Sequence, residues 1–379
     1  MERLTIGVVG TTRKPDERRR PVHPAHLDRI GEDVRAHLLL ERGYGAQFGV
    51  DDAEIARWVG GVVDRDELLR RADVVLLPKP LADDLAEMRD GQVLWGWPHL
   101  VQDARLTQLA IDKRLTVIAW EAMNHWHSDG SFSMHVFHLN NEMAGYAAVL
   151  HALQLRGATG HYGKPLRAAV VSFGSTARGA VRALNAIGVN DVTVLTQRDR
   201  SAVAAPFAGI VLETFERVEE DPRHTRVLLR SGPQDTEDFL AGYDIVVNCV
   251  LQDTEAPLVF VEDPRTLAPG TIVVDVSIDE GMGFSWARPT AFADPMVEVG
   301  DRVHYYAVDH TPSLYWESAT WTISEALLPY LDVVQRGPAA WSDDATLARA
   351  VEVARGEVRN ERILAFQGRA AAYPHPVQG

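Results

Sequence analysis

The stretch LRAAVVSFGSTARG, from Leu166 to Gly179, joins an apolar run to a turn that contains glycine. The apolar run up to Phe173 is typical of a buried strand, and the residues from Gly179 to Ile187 are typical of a helix. The segment Val192–Leu195 then predicts a second strand. A strand, a glycine turn, a helix and a second strand in this order are typical of the opening of a dinucleotide-binding domain.

The turn itself carries only part of the dinucleotide fingerprint. The full pattern has three glycines, which permit a tight turn, a close approach of the pyrophosphate and close packing of the helix. Here Thr176 occupies the middle position. A turn before any helix of an α/β fold would look similar, but its position between two strands, at a helix N-terminus, favours anion binding. The predicted cofactor contacts in the turn are Gly174, Ser175, Thr176, Ala177 and Gly179.

The end of the second strand indicates which nicotinamide cofactor would bind. An acidic side chain there accepts hydrogen bonds from the ribose 2′-hydroxyl of NAD, whereas the 2′-phosphate of NADP requires an arginine and no carboxylate. In this chain the strand ends Thr196-Gln197-Arg198. A neutral residue followed by an arginine favours NADPH. The alternatives are that Arg198 only faces solvent and that the cofactor is NAD.

Short β-branched runs alternate with helical stretches on both sides of this segment, which predicts an α/β fold with parallel sheets. We expect two Rossmann-like domains that are joined by long helices, at 140–155 and 318–334, with an active-site cleft between them. The substrate domain would be discontinuous and comprise residues 1–142 and 312–379. Residues 143–311 would form the dinucleotide-binding domain.

Two further stretches are predicted to be helical. The first is Pro24–Asp33, which begins just after His23. The second follows Gly337 and would continue to about Arg362.

Composition excludes several classes of function. The 379 residues include 38 basic and 53 acidic side chains, so the formal net charge of −15 disfavours nucleic acid as a partner. The single cysteine, Cys249, excludes an internal disulfide and a cysteine-based zinc site. No apolar run approaches the roughly 20 residues of a membrane helix. The chain opens with a predicted strand, Leu4–Val9, and not with a signal peptide, so we expect a cytoplasmic protein with no membrane partner.

Four histidines lie close together in the sequence, at His125, His127, His135 and His138. No carboxylate or cysteine completes a recognisable ligand pattern among them, and Gly130 indicates a flexible hairpin between the two pairs. We therefore predict no metal site.

Three side chains of the first domain are candidates for chemistry. Lys79 follows the apolar strand Val74–Leu77, and a lysine at such a position can lose its proton when it is desolvated. His99 follows another apolar strand, and the ends of parallel strands share one edge of a sheet, so the two side chains are expected to face the same cleft. Arg19 could hold a carboxylate with its two-pronged head. The alternatives are a surface lysine and a structural histidine.

Several motifs resemble one enzyme superfamily. The stretch KPDERRRPVHP at 14–24 is similar to the N-terminal signature of alanine dehydrogenases and lysine-forming saccharopine dehydrogenases, as is ERGYG at 41–45. The block VDHTPSL at 308–314 resembles the saccharopine dehydrogenases and also the carboxyethylornithine synthases, which are opine-type enzymes. Four stretches resemble the carboxyethylornithine synthases in particular: GWPH at 96–99 with Val101-Gln102, AWE at 119–121, NNEMAG at 140–145 and FQGR at 366–369.

The resemblance implies roles for individual residues. Arg19 would bind the carboxylate of an oxo acid, and Lys79 and His99 match the active-site lysine and histidine of the superfamily. Glu121 would tune Lys79, and Asp279 matches an aspartate near the nicotinamide. The remaining residues that the resemblance implies are Asp309 and His310 at the substrate, and Val250, Ile278, Asp279 and Asp309 at the cofactor.

The reaction implied is reductive condensation of an α-oxo acid such as pyruvate with the amine of an amino acid such as ornithine or lysine, with NADPH as reductant. We expect small-molecule partners and a homo-oligomer. Two departures from the superfamily pattern are Pro80, where a glutamate often follows the active-site lysine, and Thr196, near which the synthases carry an aspartate. The alternatives are a dehydrogenase like alanine or saccharopine dehydrogenase, and a catalytically silent protein that binds a nucleotide or metabolite.

Overall fold

The computed structural model describes residues 3–198, 209–253 and 256–378. The chain divides into two compact units. Unit 1 comprises Met1–Phe137 and Trp316–Gly379, and unit 2 comprises His138–Tyr315.

Unit 1 is built on a parallel-dominated sheet. Its strands are β1 (Ile6–Val8), β2 (Leu38–Glu41), β3 (Gly61–Val63), β4 (Val74–Leu76), β5 (Val93–Gly96), β6 (Thr116–Ala119), β20 (Val351–Ala354) and β21 (Glu357–Val358), with β7 (Asn124–Trp126) and β8 (Phe132–His135) forming a separate hairpin. Among the described residues the sheet order is β21-β20-β6-β5-β4-β1-β2-β3. The strands β1 to β6 run parallel, whereas β20 and β21 are antiparallel.

Helices cover both faces of this sheet. They are α1 (Glu32–Arg35), α2 (Asp52–Ile55), α3 (Arg65–Arg71), α4 (Ala82–Glu87), α5 (Ala104–Asp112), α9 (Trp316–Gln335), α10 (Pro338–Asp343), α11 (Ala345–Ala350) and α12 (Glu361–Phe366). Aspartates cap several of them, since Asp64 and Asp103 accept the N–H groups of Glu67 and Leu106 in the first turns of α3 and α5. One apolar core contains Ile323 and Leu327 of α9 against one face, and a second contains residues of α3, α4 and α5.

Unit 2 contains the second sheet. Its strands are β9 (Arg167–Val171), β10 (Asp191–Thr196), β11 (Ile210–Arg217), β12 (Thr225–Leu229), β13 (Gly232–Asp235), β14 (Ile245–Asn248), β16 (Ile272–Asp275), β18 (Met296–Val299) and β19 (Val303–Tyr306), with a separate pair β15 (Val259–Val261) and β17 (Gly283–Phe284). The order among the described strands is β13-β12-β11-β10-β9-β14-β16-β19-β18. The central strands are parallel, and antiparallel strands lie at the edges.

The helices of unit 2 are α6 (His138–Leu155), α7 (Ser175–Ala186) and α8 (Thr236–Leu240) among the described residues. The helices α6 and α7 pack so closely that a Cβ on Gly179 would lie 1.7 Å from the carbonyl oxygen of Glu142. Only glycine permits this approach, so Gly179 sets the distance between the two helices.

The prediction of an α/β fold with two Rossmann-like units is confirmed. The assignment of substrate binding to 1–142 with 312–379, and of dinucleotide binding to 143–311, stays a prediction. No helix in the described part of the chain is long and apolar enough to cross a membrane.

Two predicted helices are wrong in part. The chain after Gly337 does not stay helical to Arg362, because Val351–Ala354 and Glu357–Val358 form a β-hairpin. Arg355 and Gly356 both take positive φ, 51° and 85°, which makes a tight turn and ends any helix. The helix expected at Pro24–Asp33 is interrupted, since a 3-10 helix ends at Arg29 and Ile30 is extended before α1 begins.

Candidate active site

Lys79 and His99 meet at the carboxyl edge of the sheet in unit 1. They follow the neighbouring parallel strands β4 and β5, and the main-chain N–H of Trp97 donates to the carbonyl of Pro78 at 2.8 Å, which extends the pairing beyond the strands. The Nζ atom of Lys79 lies 2.9 Å from Nε2 of His99. The two side chains therefore lie close together, as the sequence predicts.

The contact with Lys79 indicates which nitrogen of His99 carries the proton. An ammonium group can only donate, so Nε2 accepts and the proton of the neutral ring belongs on Nδ1. The Nδ1 atom lies 3.8 Å from Oε1 of Glu121. The imidazole is thus placed between a cationic donor and a carboxylate, an arrangement that can move a proton.

Glu121 also holds the main chain at His99. Its Oε1 accepts the His99 N–H at 2.7 Å, and His99 adopts a left-handed backbone with φ of +49°. Burial, with the nearby Glu352 carboxylate, raises the pKa of Glu121 to about 8, although the His99 N–H and Lys79 act in the opposite direction. Lys79 is therefore close enough to Glu121 for its charge to act on the carboxyl group, and the predicted role of Glu121 in tuning Lys79 stays a prediction.

Arg19 is buried and forms an ion pair with Glu17. The Nε atom of Arg19 donates to Oε1 of Glu17 at 2.8 Å, and a second N–H bonds the other oxygen. The guanidinium group also lies over the ring of Trp97, 5.1 Å from its centroid. The position next to Trp97 places Arg19 in the neighbourhood of His99.

The loop after β1 is tied to the same edge of the sheet. The hydroxyl of Thr12 donates to the carbonyl oxygen of Lys79 at 3.0 Å. The buried carboxylate of Glu41, at the end of β2, accepts the N–H groups of Gly10 and Thr11 at 2.7 and 2.8 Å. These bonds fix the loop that leads to Arg19. Glu41, the first residue of the ERGYG motif, therefore has a structural role in this loop.

In unit 2 the predicted cofactor turn lies between β9 and α7. Ser172 takes a left-handed φ of +87°, and Gly174 precedes the first residue of α7 without a side-chain cap. A Cβ on Gly174 would meet nothing nearer than the Oγ atom of Ser172, at 4.0 Å. The turn therefore leaves open space at a helix N-terminus that carries unsatisfied N–H groups, which fits a phosphate group.

Two arginines lie beside this turn. A guanidinium N–H of Arg198 donates to the carbonyl of Phe173 at 3.1 Å, and Thr196 accepts the main-chain N–H of Arg198 at 3.1 Å. Arg178 lies over the ring of Phe173, and burial together with the charge of Arg198 lowers the pKa of Arg178. Two cationic groups near the end of β10, where no carboxylate follows in the described residues up to Arg198, fit an additional phosphate on the ribose.

The ends of β14 and β16 carry a buried polar network. Asp275 accepts hydrogen bonds from the hydroxyl of Tyr305 at 2.8 Å and from Asn248 at 3.0 Å. Burial raises the pKa of Asp275 to about 6, and burial raises that of Asp279 to about 6 as well. Ile278 has a left-handed φ of +59° and its N–H donates to Asp275, so the network shapes the loop that presents Asp279.

The other predicted contacts of unit 2 lie on neighbouring loops. The N–H of Val250 donates to the side-chain oxygen of Asn248 at 3.2 Å, and the carbonyl of Val250 accepts from Ser277. His310 is largely buried with φ of +47°, and its Nδ1 lies 3.5 Å from Oδ2 of Asp309. The roles predicted for these residues stay predictions.

Sequence comparison places the chain in a family. The profile of the alanine dehydrogenase/PNT N-terminal domain matches residues 8–144, and that of the alanine dehydrogenase/PNT C-terminal domain matches residues 158–361. The chain belongs to the alanine dehydrogenase/PNT family. The predicted superfamily is thereby confirmed, and with it an oxidoreductase that uses a nicotinamide cofactor.

Relatives within the alanine dehydrogenase/PNT family carry two different names. An alanine dehydrogenase of Mycobacterium tuberculosis is 26% identical over 361 residues, covering 90% of this chain and 91% of the relative. An N(5)-(carboxyethyl)ornithine synthase of Lactococcus lactis subsp. lactis is 24% identical over 334 residues, covering 86% and 94%. A solved L-alanine dehydrogenase superposes with a TM-score of 0.74 at 20% identity, covering 96% of this chain and 99% of that one. The fold is therefore that of the family, and the similar identities leave the two reactions as alternatives.

Several residues of the site were missed by the sequence reasoning. They are all buried polar side chains. Glu17 lies in the loop after β1, and the others lie at or near strand ends: Glu41, Asn248, Asp275, Tyr305 and Glu352. The signal available for Asn248 and Asp275 was that each ends an apolar strand, where a polar side chain is unusual. Glu352 gave no such signal, because its strand was assigned to a helix.

In the described part of the chain, no group of three or more histidine, cysteine, aspartate or glutamate side chains is close enough to hold a metal ion. His125 is exposed on β7, and Nδ1 of His135 accepts the N–H of Phe137 at 3.0 Å. These histidines belong to the hairpin β7–β8 and the start of α6.

Proposed function

We propose that this protein is an opine-type oxidoreductase that joins an α-oxo acid to the amine of an amino acid and reduces the product with NADPH. The observation that supports it is the 2.9 Å contact between Lys79 and His99, with Glu121 behind the histidine and the buried Arg19 beside Trp97. This set offers an anion-binding group and a proton-moving group together. The motifs shared with carboxyethylornithine synthases indicate the substrate class, in which the amine belongs to an ornithine-like or lysine-like amino acid.

In the proposed reaction, Arg19 holds the carboxylate of the oxo acid and fixes the position of its carbonyl group. Lys79 donates a hydrogen bond to the carbonyl oxygen, which makes the carbon more electrophilic. The amine adds to that carbon, and the resulting carbinolamine loses water to give an imine. His99 accepts a proton from the adding amine and returns one to the leaving hydroxyl group.

The contact between Lys79 and His99 links these proton movements. The proton that Lys79 gives to the oxygen leaves with it as water, so the imine forms in its protonated state. Solvent restores the proton of Lys79 through His99, along the hydrogen bond that joins the two side chains. Glu121 holds both the ring and the main chain of His99 in position, so it acts through the histidine. Asp309 and His310 are proposed to contact the second substrate.

The nicotinamide cofactor, when bound, supplies the hydride that reduces the imine carbon. We propose that the turn from Gly174 to Gly179 holds its pyrophosphate and that Arg198, following Thr196, contacts the 2′-phosphate. Val250, Ile278 and Asp279 are proposed to lie near the nicotinamide end. Dinucleotide binding is thus assigned to unit 2 and binding of the oxo acid to unit 1. A cytoplasmic location and a homo-oligomer stay predictions.

A second candidate function is an amino-acid dehydrogenase in which ammonia takes the place of the second amino acid. It is favoured by the alanine dehydrogenase of Mycobacterium tuberculosis, whose identity of 26% is similar to that of the synthases. In both reactions the oxo acid would be bound and activated in the same way, by Arg19, Lys79 and His99. The difference lies in the nucleophile.

The test is an assay of the purified protein that follows NADPH absorbance with pyruvate and each of three amines: ornithine, lysine and ammonium. We expect oxidation with an amino acid and a product whose mass equals that of the two substrates joined with loss of the carbonyl oxygen. The variant His99→Ala should lose most of the turnover but still bind NADPH. The variant His125→Ala, on the exposed hairpin, is the matched control.

Oxidation with ammonium alone would replace the proposal with the dehydrogenase. Binding of NADPH without oxidation in any mixture of amine and oxo acid would indicate a silent binding protein. Near-normal turnover of His99→Ala would overturn the role of the histidine.

A further inference from the structure

Glu352 is a buried carboxylate that the family motifs do not include. It lies on β20, at the irregular point where that strand pairs with β6, between the pairs Val351–Ile118 and Val353–Val117. The strand β6 runs directly into the short 3-10 helix that carries Glu121. Two carboxyl groups are therefore brought together at the edge of the sheet that also holds His99.

In each of the two carboxyl groups, one oxygen accepts a hydrogen bond and the other has no hydrogen-bond partner. Oε1 of Glu121 accepts the His99 N–H, and Oε1 of Glu352 accepts from the side-chain amide of Asn360 at 2.8 Å. The Oε2 atoms of both residues are enclosed by protein and have no hydrogen-bond partner. Two ionised carboxylates can only accept, so neither can satisfy the other until one of them carries a proton.

We infer that Glu121 and Glu352 share one proton and that Glu352 is a positioning residue for the Lys79–His99 pair. A carboxyl O–H donates where a carboxylate cannot, so one proton satisfies both enclosed oxygens at once. The pair then carries one negative charge instead of two, which relieves the repulsion of two buried like charges. The inference rests on the proposed function for the part that concerns turnover.

The charged groups around Glu121 come from each neighbouring element. They are Glu352 on β20, Lys79 after β4 and His99 after β5. The helix α11 also packs against the 3-10 helix, but its charged residue, Arg349, lies over the ring of Trp126. Glu352 is thus the acidic neighbour of Glu121. The charge of this carboxyl pair acts on Lys79 and His99.

Loss of the shared proton changes the charge next to the reacting groups. The pKa of Glu352 is raised by burial, and that of Glu121 is raised to about 8. As the pH rises through this value, a second negative charge appears beside Lys79 and His99 and holds their protons more tightly. Proton donation from Lys79 should weaken, so kcat should fall on the alkaline side.

The test is infrared spectroscopy of the full-length protein without added ligand, titrated from about pH 7 to about pH 10. The variants are Glu352→Gln, Glu121→Gln and the exposed control Glu357→Gln on β21. The wild type and the control should lose the band of one protonated carboxyl group in this range. In Glu352→Gln the amide donates to Oε2 of Glu121 and the second charge is gone, so both effects favour ionised Glu121 and the band should be absent. Glu121→Gln should remove it in the same way.

A wild-type protein with no such band, or a Glu352→Gln variant that keeps it, would overturn the shared proton. Circular dichroism checks that each variant folds, and Glu121→Gln gives the same answer if Glu352→Gln does not. The pH profile of NADPH oxidation is the second readout: its alkaline limb should be lost, or move to higher pH by at least one unit, in Glu352→Gln, and an unmoved limb would refute the positioning role. If the band behaves as expected and no amine is a substrate, the proton pair stands and the proposed function fails.

Discussion

The main-chain N–H of His99 donates to Oε1 of Glu121 across 2.7 Å, at a residue whose backbone is left-handed with φ of +49°. Non-glycine residues adopt this conformation rarely and at some cost. The carboxylate thus orients the imidazole through the backbone as well as through the ring.

Removal of this acceptor should impair turnover through the geometry of His99. A hydrogen bond contributes about 0.5–1.5 kcal/mol, so we expect kcat of Glu121→Ala to fall about two- to tenfold. Glu121→Gln keeps an oxygen that can accept the N–H and should lose less. The measurement is steady-state NADPH oxidation with both variants, and equal rates for the two would contradict the backbone role.

Because Arg19 and Glu17 form a buried ion pair, we expect a single substitution to lower the free energy of unfolding more than the double substitution does. Arg19→Met leaves the buried Glu17 carboxylate without its partner, so the free energy of unfolding should drop by about 3–5 kcal/mol. The double variant Glu17→Met with Arg19→Met removes both charges and should recover most of the stability, while it loses affinity for the oxo acid. Urea unfolding separates these cases, and a single variant as stable as the wild type would be inconsistent with a buried pair.

Arg198 should discriminate between the two nicotinamide cofactors. Loss of a charge-assisted contact to a phosphate is expected to raise KM for NADPH about tenfold in Arg198→Ala, while KM for NADH changes little. Arg182→Ala, on α7, is the control because that arginine pairs with Glu142 at 2.8 Å. Equal effects on both cofactors would argue against a contact with the 2′-phosphate.

Because of Asp275, the stability of unit 2 should fall as the pH rises through about 6. Its pKa in the folded protein is raised by burial from 3.8 to about 6, so the folded state binds the proton more tightly than the unfolded chain. The resulting stability is present below about pH 4 and is lost as the pH rises through about 6, a change of about 2–3 kcal/mol. Asp275→Asn should lack this loss. Unfolding free energies of both proteins at about pH 4 and about pH 7 test it.

Two glycines of the cofactor turn should respond differently to alanine. Gly179→Ala places a methyl group 1.7 Å from the carbonyl oxygen of Glu142, so α6 and α7 must separate and thermal stability should fall sharply. Gly174→Ala meets open space and should fold normally, but its methyl group would occupy the room expected for the pyrophosphate. Fluorescence titration with NADPH should show weaker binding for Gly174→Ala, and unchanged affinity would place the phosphate elsewhere.

Local sequence was sufficient to predict part of the site. Lys79 and His99 each follow an apolar run, and parallel strands end on one edge of a sheet, so their proximity follows from the sequence alone. Arg19 was also identified, but its partner Glu17 was not, because an i, i+2 pair in a loop has no periodicity to reveal it. The hairpin that carries Glu352 was missed because the helical composition before it masked a short strand.

By itself, the sequence determined the α/β class, the strand–turn–helix order around the predicted cofactor turn and the candidate lysine, histidine and arginine, because strand alternation and turn residues are local signals. Only the tertiary structure decided the partners of these groups. Glu352 lies more than two hundred residues from Glu121, and Tyr305 thirty residues from Asp275. The pairing of strands, and not their order in the chain, sets which charges share a buried space and therefore which protons they hold.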